Sequence, residues 1–451
     1  MARADFRRIR LSLPGLLAAA ALLLAACGHG PLGPLGGGPS KPTPTTPGTS
    51  PELPGAVPPF MAGRTPVRVA LLLPLSASNS DLKQVAQALL ESAELAVFEV
   101  GNQDLLLSPK DTRGTAAGAE AAARQALSEG AELILGPLLR EEVAAVAPIA
   151  HERRVPVLAF STDRSVGGNG VFLLSFQPEQ EIDRITKYAI SQGQHAFAAL
   201  IPNSDYGLRV RDAFLYSVST SGGEVIALQP YERSPAAMMD PVKALATYEN
   251  ETLKMRGAST SYGTTGAVQG PPPPDQTTLD RLLNYQQTSS TPFDAVLLPE
   301  GGTLLRALAP LLPYYDVDPH KVKFLGTGLW DDPVIGREPA LVGGWFASPP
   351  PGARKAFIDR FQSAYGKTPP RIASISFDAV ALAGALARLP KNQRFSLEML
   401  SNPNGFSGID GIFRFRPDGS SERGLAVLEV TPNGFVVVSP APATFETPKA
   451  F

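Results

Sequence analysis

From Val67 the chain alternates between two hydrophobic periods. "VRVALLLPL" (67–75) is a short apolar run ending in Pro74, which predicts a strand buried on both faces. Leu82, Val85, Ala86, Leu89, Leu90, Ala93, Ala96 and Val97 then recur at helical spacing. "DLLLSPKD" follows, then an alanine-rich helix from about Thr115 to Ser128, "AELILGP", a helix over "EEVAAVAPIAHERR", and "VPVLAF". Strand and helix at this rhythm predict right-handed βαβ units and a parallel sheet covered on both faces.

The alternation restarts after "VFLLSF" (171–176), with a helix from about Pro178, "HAFAALIP", a helix after "SDYG", and "GEVIALQPY". "FDAVLLPE", the helix "GTLLRALAPLL", "KVKFLGTG" and "GGWFAS" continue it. Two long helices over about 352–365 and 372–388 precede short strands in "GIFRFRPDGS" and "GLAVLEVTPNGFVVV", whose "PDG" and "PNG" are hairpin turns. The pattern predicts an α/β protein of two doubly wound, parallel-sheet lobes. Residues 257–278, with little apolar content and four consecutive prolines, break the rhythm and predict a mobile insertion on the second lobe, flanked by helices near 240–255 and 278–287.

The amino-terminal region reads differently. Arg3, Arg7, Arg8 and Arg10 precede an apolar run, Leu11 to Ala26, interrupted by Pro14 and closed by small residues directly before Cys27. This is the order of a secretory signal, and the run is too short to span a membrane comfortably. Cys27 is the only cysteine of 451 residues, so no disulfide is available to it. Residues 31–60 hold ten prolines and six glycines, a composition that cannot offset its ordering entropy. We read residues 27–64 as a tether with a reach on the order of 100 Å. Removal of residues 1–26 takes the net charge from −2 to −5, which argues against a nucleic-acid partner.

Little catalytic chemistry is offered. Of four histidines, His29 lies in the tether and His151, His195 and His320 lie at a helix end, a strand start and a loop. No zinc-protease, nucleophile-elbow or P-loop motif occurs. "DVDPH" (316–320) has three potential ligands, but Pro319 and the short spacing make it a turn. Asp331 and Asp332 read as a solvated helix start rather than a catalytic pair. No enzyme, cofactor or metal is expected.

Cys27 after "LAA" resembles the bacterial lipobox, which implies an acylated cysteine at the mature amino terminus, and Gly28 after it implies the outer membrane. "VALLLPLS", "LILGPLLREEVAAVAPIA", "VPVLAFST", "SDYG", "FDAVLLPE", "FLGTGLW", "SFDAVALA" and "GIDGIFRFRPDGS", in that order, resemble the type I periplasmic-binding-protein fold, in its leucine/isoleucine/valine-binding branch. The resemblance implies three crossings between lobes, placed near 177, 347 and 392. Residues 65–177 and 348–392 would form the first lobe, and 178–347 and 393–440 the second. It also implies a ligand cleft at the carboxyl ends of the strands. Matching loop by loop carries over Ser76, Ser78, Arg140, Ser161, Thr162, Tyr206 and Glu300 as ligand-binding residues, with Glu300 facing an ammonium group. Where amino-acid binders have a serine, "GPLLR" has Leu139 and Arg140, and Arg140 either clamps an anion or ties two loops together.

The lipobox, the tether, the insertion and this altered loop together resemble the penicillin-binding-protein activators, lipoproteins of the LpoA type. That likeness implies a lipid-anchored outer-membrane protein that stimulates a bifunctional peptidoglycan synthase. The alternative is a solute-binding lipoprotein of an ABC transporter for amino acids or related small molecules.

Overall fold

In the computed structural model the structure describes residues 58–247, 291–332 and 334–445. The signal, Cys27, most of the tether and the 257–278 insertion lie outside the described residues.

The first apolar run forms β1 (Val67–Leu73), with every residue but Arg68 buried. It pairs in parallel with β2 (Leu105–Asp111) and β3 (Leu133–Leu135), and β4 (Val157–Ala159) and β5 (Val171–Leu173) extend the sheet in the order β2-β1-β3-β4-β5. Helix α1 (Ser80–Val100) begins where Asn79 Oδ1 accepts the Leu82 N–H at 2.8 Å, and ends at Gly101 in the left-handed conformation. α2 (Ala116–Ser128) and α3 (Arg140–Glu152) cover one face, with Ala119, Ala122, Ala123 and Ala126 sharing a core with Val143, Val146 and Ile149. On the other face α1 packs against the helix Ala373–Leu386. A Cβ at Gly384 would overlap Val100, so this helix pair needs glycine at its point of closest approach.

α4 (Pro178–Ser191) carries the chain into the second lobe, where Ile182, Ile185 and Ala189 join a new core. There β6 (Ala196–Pro202), β7 (Glu224–Tyr231), β8 (Ala295–Leu297), β9 (Lys323–Gly326) and β10 (Trp345–Ser348) run parallel. α5 (Asp205–Thr220) follows β6. The helix Pro351–Tyr365 returns to the first lobe and inserts Phe357 and Phe361 into its core.

The third crossing differs from expectation. β11 (Phe406–Gly408), β12 (Gly411–Phe415) and β13 (Ser421–Arg423) form a separate antiparallel sheet, and Phe395, Leu400, Ile409, Phe413 and Phe415 all pack in the first lobe's core. The aromatic residues alternate on β12, and Phe415 meets Phe172 of β5 at a centroid distance of 5.3 Å. Residues 393–423 therefore belong with the first lobe, and the crossing lies near Gly424 rather than 392. Only then does the hairpin of β14 (Ala426–Thr431) and β15 (Gly434–Ser439) join the second sheet, antiparallel beside β10.

Candidate functional site

Both sheets are parallel at their centres, so each presents its strands' carboxyl ends along one edge, and these edges face each other. A contact across the gap shows this. Arg209, in the first turns of α5, pairs with Glu179 through Nε and Nη2 at 2.8 and 2.9 Å. Its Nη1 also donates to Thr162 Oγ1, in the loop after β4, at 3.3 Å.

The first-lobe residues expected to bind ligand lie on these loops in different states. Ser76 donates its hydroxyl hydrogen to Asp111 Oδ2 at 2.5 Å, so that hydrogen is not free for a ligand. Partial burial pushes the Asp111 carboxyl up, but the bonds from Ser76 and Arg113 outweigh it and hold the group below the usual range. Ser78 is exposed just before α1. Arg140 Nε meets Asp163 Oδ2 at 3.1 Å, with both side chains more than a third exposed, so it ties the start of α3 to the loop after β4. The buried Ser161 accepts the Asp163 N–H at 3.2 Å and keeps its own hydrogen for donation. Thr162, accepting from Arg209, keeps its hydrogen too.

In the second lobe Tyr206 OH lies 2.9 Å from Thr327 Oγ1, and burial raises the phenol far above its ordinary pKa. Glu300 is 2 % exposed and four donors surround it. Tyr231 OH and Arg233 Nε reach Oε2 at 3.1 and 3.0 Å, while Arg233 Nη2 and the Gly301 N–H reach Oε1 at 3.0 and 3.1 Å. A carboxylate has about four lone-pair sites, and these four bonds fill them. The expected amine-binding group is engaged within the protein.

Beside the crossings lies a partly buried ionic junction that sequence reasoning missed. Asp331, read as solvated, instead accepts from Ser348 Oγ at 3.0 Å, forms a short ion pair with Arg354, and lies 3.4 Å from Arg371 Nε. Asp331 belongs to the second lobe and both arginines to the first, so the cluster braces the lobes. Arg371 also pairs with the fully buried Asp410 at 3.2 Å and lies 4.0 Å from the centroid of Phe176, in the first crossing. Arg423, at the third crossing, lies 4.9 Å from the same ring. Glu181 of α4 accepts the Gly328 N–H at 2.9 Å. A Cβ at residue 328 would stand 2.6 Å from Glu181 Oε1, so a side chain there would have to push the carboxylate aside. Burial raises the Glu181 carboxyl to about 7 against the pull of Gly328 and Arg371, and burial with repulsion from Asp410 raises Asp378 to about 7. Arg209 was open to recognition as the helical neighbour of Tyr206 in "SDYGLR"; nothing local marks Arg233, Arg371 or Glu181.

Among the described residues no group of His, Cys, Asp and Glu is placed to hold a metal ion, and no helix is long and apolar enough to cross a membrane. In "DVDPH", Asp318 accepts the His320 N–H at 2.9 Å, as a turn does.

Two α/β lobes joined by three crossings, with the carboxyl ends of their parallel strands on facing edges, define a bilobal α/β protein. The sequence profile of the periplasmic binding protein family matches residues 66–434, and the chain belongs to that family. A search of curated proteins finds no match. Among solved structures, the fold is shared with a putative branched-chain amino acid ABC transporter protein from Rhodospirillum rubrum, at 18% identity and TM-score 0.61, covering 83% of this chain and 100% of that one. It is also shared with a Rhodopseudomonas palustris BisB5 ABC-transporter solute-binding protein in complex with 3,4-dihydroxybenzoic acid, at 14% identity, TM-score 0.57 and coverages of 85% and 99%. A substrate-binding protein of Streptococcus pneumoniae in complex with isoleucine has 17% identity, TM-score 0.53 and coverages of 83% and 100%.

Proposed function

We propose that the chain is an extracytoplasmic solute receptor, anchored by an acylated Cys27, that holds a small organic molecule between its lobes for an ABC transporter. The observation that carries this reading is the pair of facing strand-end edges, with Ser161 and Thr162 on one side and Tyr206, Arg233 and Thr327 on the other. Hydroxyl, phenol and guanidinium groups on opposed walls suit a ligand of a few polar atoms. The solved relatives of this fold, held with isoleucine or dihydroxybenzoic acid, support a ligand of that size. Isothermal titration of the mature protein with amino acids and small carboxylic acids tests it. Micromolar binding, weakened tenfold or more by Thr162→Ala or Tyr206→Phe, is expected; no heat with either class at millimolar concentration sinks the reading.

Two observations favour a second reading, a lipid-anchored activator of a bifunctional peptidoglycan synthase. Glu300 is spent on Arg233 and the lobes are braced at Asp331, a build suited to presenting a surface. Purified synthase would then make more polymerised and cross-linked peptidoglycan with the protein added. Deletion of residues 257–278 would lower that stimulation while leaving the melting temperature unchanged. An unaltered synthase rate removes this reading.

A further inference from the structure

Glu300, Arg233 and Tyr206 stand at the carboxyl ends of three strands, β8, β7 and β6, that lie side by side in the order β8-β6-β7. The Glu300 side chain is 3% exposed and the Arg233 side chain 51%, so the guanidinium covers the carboxylate on the solvent side. Nε and Nη2 make the two bonds to Glu300, which directs one edge of the guanidinium at the carboxylate and leaves Nη1 outside that pair. Hydrogen bonding to Glu300 also raises the Arg233 pKa, so this cation persists at every working pH. On the opposite wall Ser161 and Thr162 each accept an internal bond and retain a hydrogen to donate.

We infer that Arg233 sets the ligand class, its guanidinium occupying at Glu300 the place that a ligand ammonium would take, so that the cleft selects organic acids lacking an α-ammonium group. This rests on the solute-receptor reading. An amino acid entering in the orientation the family resemblance implies would meet a cation where it needs an anion, and could reach Glu300 only by displacing a bidentate pair. A simple carboxylate meets donors on both walls.

The test uses pairs of ligands that differ only in that group: leucine against 4-methylpentanoate, and phenylalanine against 3-phenylpropanoate, titrated into the mature chain and its Arg233→Gln variant. The wild type is expected to bind each acid at least tenfold more tightly than its amino acid. Arg233→Gln frees Glu300, and should weaken the acids tenfold or more while strengthening the amino acids. Tighter binding of the amino acids by the wild type overturns the inference and leaves the receptor reading standing. A preference for the acids unchanged in a folded Arg233→Gln protein, with an unaltered circular dichroism spectrum, also overturns it. If the variant fails to fold, the wild-type ratio decides alone. Absence of binding by all four compounds, with stimulation of a synthase, removes the receptor reading and the inference together.

Discussion

Replacing Glu181 with Gln should stabilise the protein at alkaline pH and leave it unchanged in acid. Glu181 is 7% exposed and its carboxyl accepts the Gly328 N–H, with Arg371 as its attractive charged neighbour and Asp331 and Glu179 as repulsive ones. Tyr206 and Arg423 are also coupled to it. Burial dominates, and the group titrates at about 7 in the folded protein against 4.5 for an unperturbed glutamate. Between those values the native state holds a proton that the unfolded chain has released, so stability falls as pH rises through the window and the loss is complete above it. Each tenfold change in proton affinity is worth about 1.4 kcal/mol, which makes the whole effect about 3 kcal/mol. At the usual unfolding entropy per residue this is about 4 °C in Tm. An amide carries no charge to desolvate and keeps an oxygen for Gly328. Thermal melts from pH 4.5 to 8.5 at constant ionic strength should show Glu181→Gln above wild type by about that amount at pH 8 and equal to it at pH 4.5. Asp378, with Asp410 and Arg423 around it, acts in the same direction, so the double variant with Asp378→Asn should flatten the profile further. Asp111, Asp163 and Asp418, all held low, act in the opposite sense and below about pH 4, outside the window. A Glu181→Gln protein that melts at or below the wild type at pH 8 would refute the reasoning.

Asp331→Ala should cost about 1.5–3 kcal/mol in urea unfolding, because the partly buried Arg354 and Arg371 lose their shared carboxylate. Lys355→Ala, in a pair whose side chains are 79% and 59% exposed, should change stability by less than about 0.5 kcal/mol; equal losses would mean that the junction is not a brace. A Cβ at Gly326 would overlap the indole of the fully buried Trp330, so Gly326→Ala should lower stability by about 1–3 kcal/mol or more, and a neutral result would show that the ring has room to move. Cys27→Ser should abolish acylation and release the protein from membranes; a variant that still fractionates with outer membrane and carries lipid would overturn the lipobox reading.

The two-lobed α/β architecture was legible in the sequence because each buried strand is a short apolar run between helices of 3.6-residue period, as in Val67–Leu73 and Ala196–Pro202. The loops that follow the strands' carboxyl ends were legible too, since each comes directly after an apolar run. What their side chains do there was not. Glu300 reads as an amine-binding group until Arg233, distant in sequence, is seen filling its lone pairs, and Asp331 reads as solvated until two arginines of the other lobe close on it. The third crossing was misplaced for the same reason: strands 406–423 have strand-like sequences whichever sheet they join, and only the packing of Phe413 and Phe415 against Phe172 assigns them to the first lobe. Periodicity is a local property, set by how one segment's side chains alternate between core and solvent. A charge's partner and a strand's sheet are set by contacts between segments far apart in the chain, which no spacing along the chain encodes.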